Sequence, residues 1–185
     1  MSAPEVNPVG DLVLTDPQAM LALANPVRLE LLDRLRREGP ATAAELTSSE
    51  DHLHELERFG FVSQGEDGRW EAVAKGLVFE IPDDPEGQAA ARQLANVMLL
   101  NYVEEPRRWV ADDEPRLELD WVRAAGMLNA RVALTPDELR GLQQDLERLL
   151  EPFLTRDPAD LPPEARRVRV LAYFLPEASD LSSAK

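Results

Sequence analysis

The chain has no cysteine, and only two lysines and two histidines among its 185 residues. Without cysteine there are no disulfides, no thiolate metal sites and no cysteine nucleophile. Long apolar runs are also missing, and none approaches the roughly 18 residues of a membrane-spanning helix. The opening stretch MSAPEVNPVGDLVLTDP has neither a basic region nor a continuous apolar core, so no secretory signal is expected there and the expected location is cytoplasmic. An excess of basic charge is lacking too, the net charge being -15. Residues 1–80 hold 7 Arg/Lys against 15 Asp/Glu and residues 81–185 hold 13 against 20, so neither half is a basic module suited to neutralising phosphates.

Catalytic signatures are absent as well. The sequence contains no G-x-S-x-G elbow, no phosphate-binding glycine loop and no H-E-x-x-H pair. Paired acids at 83–84, 104–105 and 112–114 fall in turns or at solvated helix ends, where nothing apolar raises a carboxyl pKa. The expectation is a protein that is not an enzyme and needs no cofactor. The cluster Asp51, His52, His54 with Glu55 or Glu57 suggests a metal at first sight. On a helix, positions i and i+2 point about 200° apart and do not share one ion, so no metal site is expected.

What is present is a globular composition, 44% hydrophobic and 30% charged. Asp16-Pro17 and Asn25-Pro26 each pair an N-cap with proline at the first helical position, opening helices at PQAMLALA and PVRLELLDRLRREG. In the second, Val27, Leu31 and Leu35 recur every four residues beside Leu32, and Gly39-Pro40 ends the helix. ATAAEL begins a third helix and SSEDHLHELERFG a fourth, ending at Gly60. FVSQ and GEDGRWEAV read as the two strands of a hairpin.

IPDDPEG (81–87) marks a domain boundary, and Asp84-Pro85 caps a longer helix, 86–105, stopped or kinked by Pro106. An irregular acidic stretch follows. MLNARVALT alternates as a strand, and Thr135-Pro136-Asp137-Glu138 matches a capping box opening a helix with Leu139, Leu142, Leu146, Leu149 and Leu150 on one face. VRVLAYFL reads as a last strand, expected to pair with the first and to be covered by that leucine face.

ALANPVRLELLDRLRREGPATAAEL together with His52-Leu53-His54-Glu55-Leu56-Glu57-Arg58-Phe59-Gly60-Phe61-Val62 resembles the ArsR-like winged-helix transcription regulators of bacteria. LTPDEL and the closing VRVLAYFLPE look like the companion domain of actinobacterial members, so the likeness spans residues 12–178. The resemblance implies an α+β chain: an N-terminal winged helix-turn-helix over 12–82, then a small helix–strand–helix–strand dimerisation domain over 84–178. It implies a homodimer on double-stranded DNA, with the 86–105 helix and the short N-terminal helix at the dimer interface. Ser48, Ser49, His52, Arg58, Arg69, Lys75, Arg36 and Arg37 are then the expected DNA-contacting residues. Arg28, Arg34, Arg36 and Arg37 would form a basic strip if the 26–38 helix lies beside the backbone.

The chain departs from the family where recognition is expected. Only TSSED separates Leu46 from His52, about two helical turns fewer than in relatives. From Glu45 to Glu57 there are five acids and no Lys or Arg. Ser49-Glu50-Asp51 reads first as an N-cap with acids favoured by the helix dipole. A second reading therefore stands beside the first: a degenerate winged helix that no longer reads DNA and works as a protein-interaction module. Met98, Tyr102, Trp109, Trp121, Phe153 and Tyr173 are read either as core or as the lining of a small-molecule effector pocket.

Overall fold

The computed structural model describes residues 5–7, 10–47 and 49–178. The fold is mixed, helices with small sheets, and is compatible with an α+β class. By compactness the chain divides into two units, 1–138 and 139–185.

In the first unit, β1 (Glu5–Val6) pairs antiparallel with β2 (Asp11–Leu14). Helix α1 (Pro17–Leu23) opens on Asp16, whose carboxylate accepts from the Gln18 amide at 2.9 Å. Helix α2 (Pro26–Glu38) opens on Asn25, whose Oδ1 accepts from the Val27 and Arg28 amides at 3.0 and 3.3 Å. Both caps form as the Asp-Pro and Asn-Pro pairs predict. The face that α2 buries is Leu29, Leu31, Leu32 and Leu35, whereas Val27 in the first turn is exposed. Gly39, at φ 88°, stops the helix.

Helix α3 (Ala43–Leu46) is a single turn, and helix α4 (Glu50–Arg58) follows. Leu46, Leu53 and Leu56 enter the core against α2, and burying a leucine is worth about 2 kcal/mol. Gly60, at φ 72°, turns the chain into β3 (Val62–Gln64), which pairs antiparallel with β4 (Trp70–Ala72). Trp70 is fully buried, and its amide and carbonyl exchange hydrogen bonds with Ala41 at 2.8 and 3.0 Å.

A strand that the sequence reading left unassigned comes next. β5 (Gly76–Phe79) leaves the hairpin and pairs parallel with β2, Leu12 opposite Leu77 and Leu14 opposite Phe79. Gly76 lies so close to β2 that a Cβ there would sit 2.1 Å from Asp11 Oδ1. Helix α5 (Pro85–Tyr102) starts on Asp84, which accepts from the Gly87 amide at 2.8 Å. Ala90, Ala91 and Leu94 are buried, and α5 packs on α1. The boundary expected at 82–84 therefore does not coincide with a break in packing. Small side chains on one face of α5 let it approach the N-terminal core.

Beyond Tyr102 lie α6 (Glu104–Arg108), containing Pro106, then a π-turn at Trp109–Asp113 and α7 (Leu119–Ala124). Helix α8 (Pro136–Leu154) begins with the predicted capping box: Glu138 accepts from the Thr135 amide at 2.8 Å, and Thr135 Oγ1 accepts from the Glu138 amide at 3.3 Å.

The expected helix–strand–helix–strand arrangement does not form. Residues 127–135 and 166–177 are neither helix nor strand, and no residue of α8 is buried. Alternation gives a segment two faces but supplies no hydrogen-bonded neighbour, and an isolated strand pair is marginal in water.

Candidate nucleic-acid interface

The region from Thr42 to Arg58 is shaped by its caps. Thr42 and Glu45 form a capping box on α3: Glu45 Oε2 accepts from the Thr42 amide at 2.7 Å, and Thr42 Oγ1 accepts from the Glu45 amide at 3.3 Å. Thr47 takes the left-handed conformation at φ 52° and closes the turn, its N–H meeting the Ala43 and Ala44 carbonyls. Ser48 lies outside the described residues. Ser49 then caps α4, its Oγ accepting from the Asp51 amide at 3.2 Å. The exposed face of α4 presents Glu50, Asp51, His54, Glu57 and Arg58, while His52 is half-buried. His54 pairs with Glu57 at 3.3 Å and sets its ring edge against Trp70, 5.2 Å between centroids.

The arginines expected to meet phosphates are engaged within the fold. Arg69 donates twice to the Pro40 carbonyl, at 3.2 and 2.7 Å, and forms an ion pair with Glu45 at 3.2 Å. Hydrogen bonds from Thr42, reinforced by Arg69, hold the Glu45 carboxyl below the usual carboxylate range. Arg36 donates to the Ala74 carbonyl at 3.0 Å and the Gly76 carbonyl at 2.8 Å, tying α2 to the start of β5. Burial pulls the Arg36 pKa down, opposed by the negative charges of Asp33 and Asp11.

The other members of the expected basic strip face carboxylates. Arg34 and Arg37 pair with Glu38 at 2.8 and 3.2 Å, and Arg28 approaches Glu55 at 3.9 Å. Arg58 pairs with Glu55 at 3.4 Å and lies over the Phe59 ring. Lys75 is exposed. Of the expected DNA-contacting residues, Arg36 and Lys75 meet in one shallow depression of about 240 Å³, which Glu71 also lines. Sequence reasoning did not connect Glu45 with Arg69. The available signal was Thr42-x-x-Glu45, a capping box that fixes where that carboxylate points.

Of the six residues read as core or pocket, Met98, Tyr102, Trp109 and Trp121 lie in the first unit and Phe153 and Tyr173 in the second. Met98 packs partly against the N-terminal core. The Tyr102 hydroxyl donates to Asp33 Oδ1 at 3.4 Å. Trp109 and Trp121 are half-buried. Phe153 and Tyr173, in the second unit, are 66% and 49% exposed. A depression of about 390 Å³ near α6 is lined by Pro106, Arg107, Val110 and Met127, none of which belongs to that set. Among the described residues, no His, Asp and Glu group is placed to hold a metal ion and no helix is long and apolar enough to cross a membrane. No family model, no curated protein and no solved structure matches the chain.

Proposed function

We propose that the chain is an ArsR-like winged-helix transcription regulator that binds double-stranded DNA as a homodimer, without a metal, a cofactor or enzymatic activity. One observation carries this reading. α2, α3 and α4 pack on a common leucine core and run through Gly60 directly into an antiparallel hairpin anchored by buried Trp70. That is the order of a helix-turn-helix followed by a wing, with α4 in the recognition position and the β3–β4 hairpin as wing. In this reading the phosphate contacts come from the solvent-exposed cations Arg37, Arg58 and Lys75. In this reading a small-molecule effector acts on the C-terminal half, and the protein works in the cytoplasm.

Fluorescence anisotropy on the protein's own upstream duplex, titrated with salt, tests the proposal. The expected result is binding whose logarithm falls linearly with log salt, with Lys75→Ala and Arg58→Ala each reducing the slope by about one. A folded protein that binds no duplex even at about 20 mM salt sinks it.

A second reading is favoured by a specific observation. The face where base contacts would arise is acidic, and Arg69, expected to touch the minor groove, is held by Pro40 and Glu45. In that reading α4 is a docking face for another protein, and DNA is repelled.

A further inference from the structure

Asp33, half-buried on α2, joins two parts of the fold that lie far apart in sequence. From one side Asn101 Nδ2 and the Tyr102 hydroxyl, in the last turn of α5, each donate to its carboxylate at 3.4 Å. On the other side, one turn along α2, Arg36 donates to the Ala74 and Gly76 carbonyls at 3.0 and 2.8 Å. Those carbonyls flank Lys75, where the chain leaves the β3–β4 hairpin for β5. We propose that Asp33 is a conformational latch: while the end of α5 closes on it, Arg36 is held on the β4–β5 connection, and when that end lifts the connection loosens.

The two sides of the latch differ in strength. α5 is anchored by buried Ala90, Ala91 and Leu94, with Val97 and Met98 packed against the same core. Beyond them Leu99, Leu100 and Val103 are 49%, 65% and 47% exposed, so little apolar area holds the last turn down. Its two contacts with Asp33 are also longer than ordinary hydrogen bonds. Arg36 instead makes short, charge-assisted bonds from a desolvated position. A disturbance that reaches α5 therefore opens the Asp33 side first.

Electrostatics couples the two sides. Arg36 is a cation drawn away from water, and the Asp33 and Asp11 carboxylates supply the negative charge that offsets this cost. Asp33 and Arg36 stand three positions apart on one helix, so they stay neighbours whatever α5 does. With Asn101 and Tyr102 against it, the Asp33 charge acts through protein, where it is strong. Once the turn lifts, water screens that charge and competes for the Arg36 donors, and their hold on Ala74 and Gly76 weakens. Val73 and Lys75 report the change, because their amides donate to the Phe61 and Gly10 carbonyls at 3.0 and 2.8 Å on either side of Ala74. The purpose of the latch rests on the regulator reading: an effector on the C-terminal half would act on the hairpin through it.

Amide hydrogen exchange of the full chain, followed residue by residue by NMR, is the test. Asn101→Ala/Tyr102→Phe is expected to speed exchange at Val73 and Lys75 about fivefold or more, with a smaller change at Leu32 in α2 and Trp70 in β4. Coupling is reciprocal, so Arg36→Lys, which keeps the charge but loses the forked donation, is expected to speed exchange at Val103, whose amide closes the last turn of α5 on Leu99. Adding Asn101→Ala/Tyr102→Phe to Arg36→Lys is expected to change Val73 and Lys75 little further. Wild-type rates at Val73 and Lys75 in the α5 variant overturn the proposal. So does equal acceleration at Leu32 and Trp70, which marks a general loss of stability, or full additivity with Arg36→Lys. No duplex enters these measurements, so a wild type that fails to bind DNA sinks the regulator reading and leaves the latch standing.

Discussion

Residues 12–94 and residues 95–178 are built from similar materials and end differently. Among the described residues, every buried hydrophobic side chain lies between Leu12 and Leu94, and none beyond Leu94 is buried. Both stretches contain capped amphipathic helices and alternating apolar segments. In the first, each apolar face meets another: α2 meets α4, β2 meets β5, and α5 meets α1. In the second, no residue of α8 or of the alternating segments at 127–135 and 168–175 becomes fully buried. The difference teaches that amphipathicity specifies a face to be covered, while the partner that covers it is a separate matter.

The sharpest way to break this comparison is to truncate one large side chain in each stretch. Trp70→Ala is expected to cost about 3–5 kcal/mol, while Leu128→Ala, at a residue 95% exposed, stays within about 0.5 kcal/mol. Urea unfolding midpoints report both, and equal losses would refute the division. Next in size is a pair of arginines. Arg36→Leu removes two hydrogen bonds to the Ala74 and Gly76 carbonyls and should cost about 2–3 kcal/mol. Arg107→Leu, in a solvated pair with Glu104, should cost less than about 0.5 kcal/mol. Thermal unfolding at one protein concentration compares them. Smaller again is Asn25→Ala, where loss of the α2 cap should remove about 1 kcal/mol, read from the same urea curves.

The smallest effect is on acid stability. Glu45 and Glu138 are both held below the usual carboxylate range by hydrogen bonds from Thr42 and Thr135. A depressed folded-state pKa gives stability that is fully present above the unfolded value, about 4.3 for glutamate, and lost as pH falls through the folded value. Glu45→Gln should therefore flatten the acid limb of the unfolding curve for the N-terminal core. Glu138→Gln should instead reduce the helical circular dichroism of α8 in acid and leave the core transition where it is. A Glu138 effect on the core would show that the start of α8 is coupled to it.

Much of the local structure was legible in the residues. Asp16-Pro17, Asn25-Pro26, Asp84-Pro85 and Thr135-x-x-Glu138 are each short-range devices whose partners lie two or three residues away, and all four form. Leu53 and Leu56 were legible for the same reason: a three-residue step on a helix fixes a common face. β5 was not, because GLVF becomes a strand by pairing with DLVL more than sixty residues earlier, and neither carries a turn signal pointing to the other. The candidate interface divides the same way. Its residues could be named from sequence, but Arg36 and Arg69 reach carbonyls 38 and 29 positions away, and local periodicity carries no information about such pairings.

By itself, then, the sequence determined helices α1 to α5 and α8, their caps, the hairpin turn and the acidic character of the 45–57 stretch, all of them set by neighbours within a few residues, while α7 lies in a stretch that reads as irregular. Tertiary structure alone decided that α5 belongs to the N-terminal core, that two expected DNA-contacting arginines are spent on carbonyl oxygens, and that no leucine of α8 is fully buried. Each of these depends on which surfaces meet after the chain has folded. That choice rests on shape, area and charge summed over distant residues, which no short window contains.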